Sequence, residues 1–255
     1  MRIYAVQLDP VWEDKEANLE KVGRLLEEAA PEPGSVVILP EMFATGFSMN
    51  LNRTRERAYG NTEPALTEWA RARQIYLIAG LVRNAPGGYG FNQAVCLTPK
   101  GTVLGRYVKI HLFSPGGEGQ THLPGSNVAL WDLGQILAAP FICYDLRFPE
   151  VFRASVRQGA EAFIVLANWP EEREAHWETL LRARAIENQA YVIGVNRCGR
   201  DPNAAYPGRS MVVDPRGEIV ADAGREEKVL AADIDPREAR TWRERFPVLR
   251  DARFL

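Results

Sequence analysis

The chain has 255 residues, 46% of them hydrophobic and 25% charged, with a formal net charge of −2. That length buries a sizeable core in one large domain or two small ones. The near balance of charge, without any Lys/Arg block, lacks the electrostatic footprint of a nucleic-acid binder, and no apolar run approaches the ~18 residues a membrane-spanning helix needs.

In chain order, short apolar runs alternate with helical patterns. The opening "MRIYAVQLDP" has no long apolar segment and no small-residue cleavage site, so 3–8 reads as a strand and a cytoplasmic protein is expected. Residues 14–30 space Leu19, Val22, Leu25, Leu26 and Ala29 three to four apart, as an amphipathic helix does. "SVVILPE" (35–41) reads as a strand ending in Glu41, and Thr62 as the cap of a helix reaching Arg73. Strands are expected at 75–82 and 91–98. The Pro99-Lys100-Gly101 turn then leads into a hairpin partner over 102–113 that carries Lys109. The second half repeats the logic. "ILAAPFICYD" reads as a strand, "PEVFRASVRQG" as a helix closed by Gly159, 162–170 as a strand and 173–189 as a long helix. A strand at 191–199, a hairpin at 210–224 around Pro215-Arg216-Gly217, a strand at 228–235 and a helix over 236–245 complete the chain. With no Gly/Ser linker and no low-complexity segment, one domain over 1–255 is expected, built on a mixed sheet or two sheets with helices outside.

Three apolar runs end in, or lead to, residues that carry chemistry: Glu41, Lys109 and Cys143. Reactive groups belong where a rigid strand hands over to a loop. A free thiol has a pKa near ~8.5 and needs a base or a cation to attack at neutral pH. Glu41 is a candidate base. Lys109 near both would stabilise a thiolate and later an oxyanion. The residues alone leave the bland reading open, since cysteine is often a small buried hydrophobe, Lys109 could be a solvated edge charge and Glu41 a cap. Cys96 and Cys198 read as buried packing residues. Three cysteines at wide spacing form neither a disulfide framework nor a zinc pattern. His111, His122 and His176 do not lie at metal-ligand spacing, and the Gly87-Gly88 and Gly116-Gly117 pairs lack a phosphate-binding context.

The segments "ILPEMFATGF", "GRYVKIHLF" and "ICYDLRFPE" resemble, in order and separation, the three signature segments of the nitrilase superfamily, the carbon–nitrogen hydrolases. The resemblance continues through "ANWPEEREAHWETLLRARAIENQAYVIGVNRCG" and the "DPRGEIV" hairpin, and so spans essentially the whole chain. It implies an α/β (α+β) fold, a four-layer α-β-β-α sandwich of two mixed sheets, usually assembled as a homodimer, with no metal and no organic cofactor. It also implies Glu41 as general base, Lys109 as the stabilising cation, Cys143 as nucleophile and Glu118 in the following loop as a further catalytic carboxylate. Thiolate attack on an amide would put the oxyanion against Lys109 and the backbone N–H of Tyr144, and such preorganised donors are worth ~3–4 kcal/mol each.

Nitrilases proper carry Trp-Glu after the nucleophile, whereas this chain has Tyr144-Asp145, which resembles the amidase branch. The "NWPEER" stretch most resembles the omega-amidases, which remove the terminal amide of 2-oxo-dicarboxylic acid monoamides such as 2-oxoglutaramate. Such a small-molecule amide carries a carboxylate at its far end, and arginine matches a carboxylate bidentately. Arg147 and Arg173 are the candidates, with groups near Trp169 closing the pocket. For Arg147 a structural salt bridge to Asp145 or Glu150 stays open. Deaminated-glutathione, methionine-salvage 2-oxo amide and N-carbamoyl hydrolases share these motifs, and a non-catalytic binding protein on the same fold is the remaining alternative.

Overall fold

Apolar runs of five or six residues without alternation are strands covered on both faces. In the computed structural model, which describes residues 1–56 and 60–253, two sheets each receive that double cover. The first half contains β1 (Arg2–Gln7), α1 (Lys15–Ala29), β2 (Val36–Ile38), the short α2 (Leu51–Thr54), α3 (Thr62–Arg73), β3 (Tyr76–Asn84), β4 (Gly90–Leu97) and β5 (Val103–Val108). The second contains β6 (Trp131–Asp132), β7 (Leu137–Ile142), α4 (Pro149–Arg157), β8 (Ala162–Ala167), α5 (Glu174–Asn188) and β9 (Tyr191–Asn196). It continues with β10 (Cys198–Arg200), β11 (Ala205–Pro207), β12 (Met211–Val213), β13 (Ile219–Asp222), β14 (Lys228–Asp233) and α6 (Glu238–Arg245).

One six-stranded sheet runs β14-β1-β2-β3-β4-β5, the other β13-β12-β9-β8-β7-β6, and β10 and β11 form a separate hairpin. Each sheet is mixed. The parallel pairs β1–β2 and β2–β3 in one, and β7–β8 and β8–β9 in the other, are flanked by antiparallel strands. Alternation along β1 shows the layering. Ile3 and Ala5 join Ile38, Ile78, Phe141 and Ile164 in the core shared by the two sheets, while Tyr4 and Val6 point the other way, onto Val22 and Leu26 of α1 and Leu66 and Ala70 of α3. Phe152 of α4 and Trp177 and Leu181 of α5 cover the second sheet. The result is the expected α-β-β-α sandwich, and each fully buried large side chain in it contributes about 1.5–3 kcal/mol. No helix among the described residues is long and apolar enough to cross a membrane.

The differences from expectation fall at element ends. The strand expected at 35–41 stops at Ile38, the one at 102–113 stops at Val108, and the "ILAAPFICYD" strand stops at Ile142. In each case the ladder ends within three residues of a side chain that carries chemistry, Glu41, Lys109 or Cys143. Thr62 is the first helical residue of α3 rather than its cap, with Asn61 in the cap position. The expected 191–199 strand splits at Arg197 into β9 and β10, and β6, β11 and α2 have too few residues to carry a periodic signal.

Two glycines mark close approaches. A Cβ on Gly194 of β9 would lie 2.6 Å from Leu181 Cδ1 and 2.8 Å from Trp177 Cζ2, so α5 rests directly on that strand. A Cβ on Gly80 of β3 would lie 2.6 Å from the Cα of Glu41, so the segment after β2 is pressed onto β3 backbone to backbone. Overpacking of this kind costs ~1–3 kcal/mol. Gly80→Ala and Gly194→Ala should therefore lower the denaturant midpoint by similar amounts. Only Gly80→Ala should also cut kcat by more than tenfold, because only there does the displaced backbone carry Glu41. Urea titration and steady-state kinetics on the pair check this.

Candidate active site

The segment after β2 is held by backbone bonds to β3: Leu39 N–H donates to Ile78 O (2.8 Å), Gly80 N–H to Pro40 O (3.3 Å) and Phe43 N–H to Gly80 O (3.2 Å). Met42 at φ 45° turns the chain, leaving the Glu41 side chain 1% exposed inside the sandwich. Lys109 follows β5 directly, its backbone N–H donating to Asn92 O on β4. Glu118 sits in the turn of the loop that follows. Lys109 and Glu118 are both fully buried.

These three side chains meet. Lys109 Nζ donates to Glu41 Oε1 and to Glu118 Oε2, each at 2.9 Å. Asn92 Nδ2 bridges the same two carboxylates at 2.7 and 2.8 Å. Phe113 N–H donates to Glu118 Oε2 at 2.6 Å, and Asn168 N–H to Glu41 Oε2 at 2.9 Å. Two carboxylates and one ammonium leave one negative charge in a dry interior, where unpaired charge is costly. The extra donors offset it. Burial by itself would drive the Lys109 ammonium down, but Glu118 and Glu41 outweigh it and hold its pKa above the ordinary lysine value. Burial pushes Glu118 up, and the Lys109 charge with the Asn92 and Phe113 hydrogen bonds brings it below the ordinary carboxylate value.

Cys143 begins a 3-10 turn, Cys143–Arg147, at the end of β7. Its φ of 48° lies in the left-handed region, a strained elbow that lifts its side chain out of the strand. The elbow is clamped from below by Asp145, which is fully buried. Asp145 accepts from Tyr107 Oη (2.7 Å), the backbone N–H (2.9 Å) and ring Nδ1 (2.9 Å) of His111, and Ile142 N–H (3.0 Å). Tyr107 and His111 flank Lys109, so one carboxylate ties the cysteine turn to the lysine segment. The Cys143 thiol contacts Asn168 O at 3.8 Å. Burial, then the negative Glu41, raise its pKa well above the ordinary thiol value against the opposing pull of Lys109. Burial above all, with Glu41 and Glu118, favours the thiol over the thiolate here, and a base takes its proton during attack. Burial likewise raises the Cys96 thiol, and the Cys198 thiol is pushed up to about 12, also chiefly by burial.

A cavity of about 920 Å³ opens above Cys143, and Tyr144, Arg147, Trp169, Arg173, Phe47 and Tyr206 are among its walls. Arg147 lies 4.6 Å from the Trp169 ring centroid, and one of its amino groups is 3.3 Å from His176 Nδ1. Among the described residues it makes no ion pair, neither with Asp145, which four other donors engage, nor with Glu150. The salt-bridge alternative therefore falls. Burial and then the neighbouring Arg173 lower the Arg147 pKa, as expected of two cations facing one cavity. Among the described residues Arg173 has only the exposed Glu172 as an ion-pair partner, at 3.5 Å. The Trp169 indole N–H donates to Arg173 O at 2.7 Å, joining the two arginine segments. Asn92 and Asn168 were not anticipated. Their signal was present, as a polar side chain inside the apolar run of β4 and another immediately after β8.

A buried carboxylate–ammonium–carboxylate cluster beside a thiol, under a cavity walled by arginines, suits acyl transfer from a small anionic compound. The carbon-nitrogen hydrolase family model matches residues 2–244. The chain belongs to that family. As a carbon-nitrogen hydrolase it is 41% identical to an omega-amidase, YafV, of Yersinia enterocolitica, over 98% of this chain and 96% of the relative. It is 32% identical to a 2-oxoglutaramate amidase of Bacillus subtilis, over 98% and 97% of the two chains. Among solved structures it resembles the CN-hydrolase superfamily protein XC1258 of Xanthomonas campestris, described with an arsenic adduct in its active site. The TM-score there is 0.94 at 33% identity, covering 100% of this chain and 98% of that one.

Removing the ammonium of this hydrolase should expose the cost of the cluster. Lys109→Met leaves two buried carboxylates without their cation and should destabilise the protein by about 3–5 kcal/mol at pH 8. In that variant two buried carboxylates face each other without a cation, so the penalty lies at high pH and fades as the pair takes up a proton. In the parent, Glu118 is held low, so its stabilisation is lost as pH falls. Both effects narrow the gap between variant and parent toward pH 4–5. Denaturant unfolding at pH 8 and pH 5 checks this, and an equal gap at both would contradict it.

Proposed function

We propose that this carbon-nitrogen hydrolase is an omega-amidase, releasing ammonia from the terminal amide of a small 2-oxo acid monoamide of the 2-oxoglutaramate type. The observation that carries the reading is the pairing of the Glu41–Lys109–Glu118 cluster beside Cys143 with two arginines, without buried carboxylate partners among the described residues, on the wall of the same cavity. The first supplies amide chemistry, the second a place for a distant carboxylate. The names of the relatives support the same substrate class.

In this reading the Cys143 sulfur attacks the amide carbon as Glu41 takes the thiol proton. The C–S bond forms and the carbonyl electrons move onto oxygen, where Lys109 and the Tyr144 N–H stabilise the charge. Tyr144 stands in the first turn after β7, where backbone N–H groups have no partner within the turn. The C–N bond then breaks, and nitrogen leaves as ammonia with the proton from Glu41. Water attacks the resulting thioester, Glu41 takes a proton from it, and the C–S bond breaks to release the acid and restore the thiol. Glu118 holds Lys109 in line throughout. Arg147 and Arg173, set by Trp169, receive the far carboxylate. The 255 residues act as one domain, working as a cytoplasmic homodimer.

Ammonia release from 2-oxoglutaramate tests this. Rapid turnover is expected, and Cys143→Ala should abolish it with the thermal midpoint little changed, because that side chain is only partly buried. Slow turnover there beside fast turnover of a neutral amide, a nitrile or an N-carbamoyl acid would reject the substrate. Arg147→Gln should raise KM for 2-oxoglutaramate about 10–100-fold, the worth of one charge-assisted bidentate contact. It should leave KM for an uncharged amide of similar size within about twofold, since that ligand offers the guanidinium nothing to pair with.

A further inference from the structure

Asn168 presents one polar atom that the protein does not use. The residue follows β8, is 5% exposed and forms part of the cavity wall beside Cys143. Its backbone N–H donates to Glu41 Oε2 at 2.9 Å, and its backbone carbonyl lies 3.8 Å from the Cys143 sulfur. Its side-chain Nδ2 donates to the Glu41 backbone oxygen at 2.7 Å and to Glu41 Oε2 at 3.3 Å. Those two acceptors fix the orientation of the amide, because a flipped side chain would set Oδ1 against a carbonyl and a carboxylate. Oδ1 itself has no donor among the described residues. A buried acceptor of this kind calls for a donor from elsewhere. Asn92 Oδ1 is also unpaired, but Asn92 is fully buried and is not among the cavity walls, so a substrate does not reach it.

We propose that Asn168 Oδ1 accepts a hydrogen bond from the N–H of the scissile amide, and so reads the substrate as an amide before any bond is broken. The inference rests on the amidase reading above and adds the group that recognises the reacting end. An amide brings N–H donors to Oδ1. The product carboxylate, an ester and a nitrile bring only acceptors there. Once hydrolysis has turned the –CONH2 group into –CO2⁻, the contact turns from attractive to repulsive, which favours product departure. Asn168 thereby couples the placement of Glu41, through its N–H groups, to the presence of the correct leaving group, through its carbonyl.

The test uses ligand binding to a full-length protein that cannot turn over. In Cys143→Ala, 2-oxoglutaramate and 2-oxoglutarate are titrated by calorimetry, with and without Asn168→Leu, an apolar side chain of similar size. The expected result is a loss of at least tenfold in affinity for 2-oxoglutaramate with unchanged or tighter binding of 2-oxoglutarate. A crystal structure of Cys143→Ala with 2-oxoglutaramate should place the carboxamide nitrogen within about 3.2 Å of Oδ1. Equal losses for both ligands would assign Asn168 a purely structural role and overturn the inference, as would a carboxamide nitrogen beyond hydrogen-bond reach. If Cys143→Ala binds neither ligand, the substrate reading itself falls and takes this inference with it. If it binds both and Asn168→Leu changes neither, only the inference falls.

Discussion

The buried Lys109 ammonium, shared between Glu41 and Glu118 at 2.9 Å each, is the interaction on which the rest depends. Three ionised groups at full burial are costly in isolation and tolerable only when every charge has its partner. That condition dictates the surroundings. Asn92 must bridge the carboxylates, Phe113 must turn its N–H inward, and Asn168 must meet Glu41 from the opposite sheet. Burial first, and then the excess negative charge, favour the protonated thiol. A site arranged in this way holds its nucleophile in reserve and releases it when the base moves a proton, rather than exposing a permanently reactive sulfur.

The fold supplies that cluster by ending strands early. β2, β5 and β7 stop at Ile38, Val108 and Ile142, and the next few residues depart from the ladder with their side chains turned into the sandwich. Departure requires help at each point. Gly80 gives the Glu41 backbone room, and Asp145 braces the left-handed turn at Cys143 through four donors. The apolar layers on both sides keep water from the charges and so preserve their strength.

Much of this was legible in the sequence. The unbroken apolar runs of β7, β8 and β9 and the three-to-four spacing of α1 announce covered sheets and outer helices, and the three motifs name the residues that meet. What was not legible depends on partners distant in sequence. Asn92 looks like a blemish in an apolar strand until Glu41, 51 positions away, is placed beside it. The state of the Cys143 proton turns on a contest between burial, two carboxylates and one ammonium, and composition cannot weigh those terms. Arg147 could be read as a surface ion pair until Asp145 was found fully engaged below the turn. Short pieces such as β6, β11 and α2 hold too few residues for periodicity to register.

The bonds that shape the centre also join the two sheets. Asn168, beyond β8, grips Glu41, beyond β2, while Asp145, beyond β7, grips Tyr107 of β5 and His111 past it. The reactive floor is thus a seam, and the halves of the sandwich cannot breathe apart without dismantling it. Adaptation to new compounds is left to the mouth, where half-exposed arginines and the β10–β11 hairpin can vary without unpicking a single stitch below.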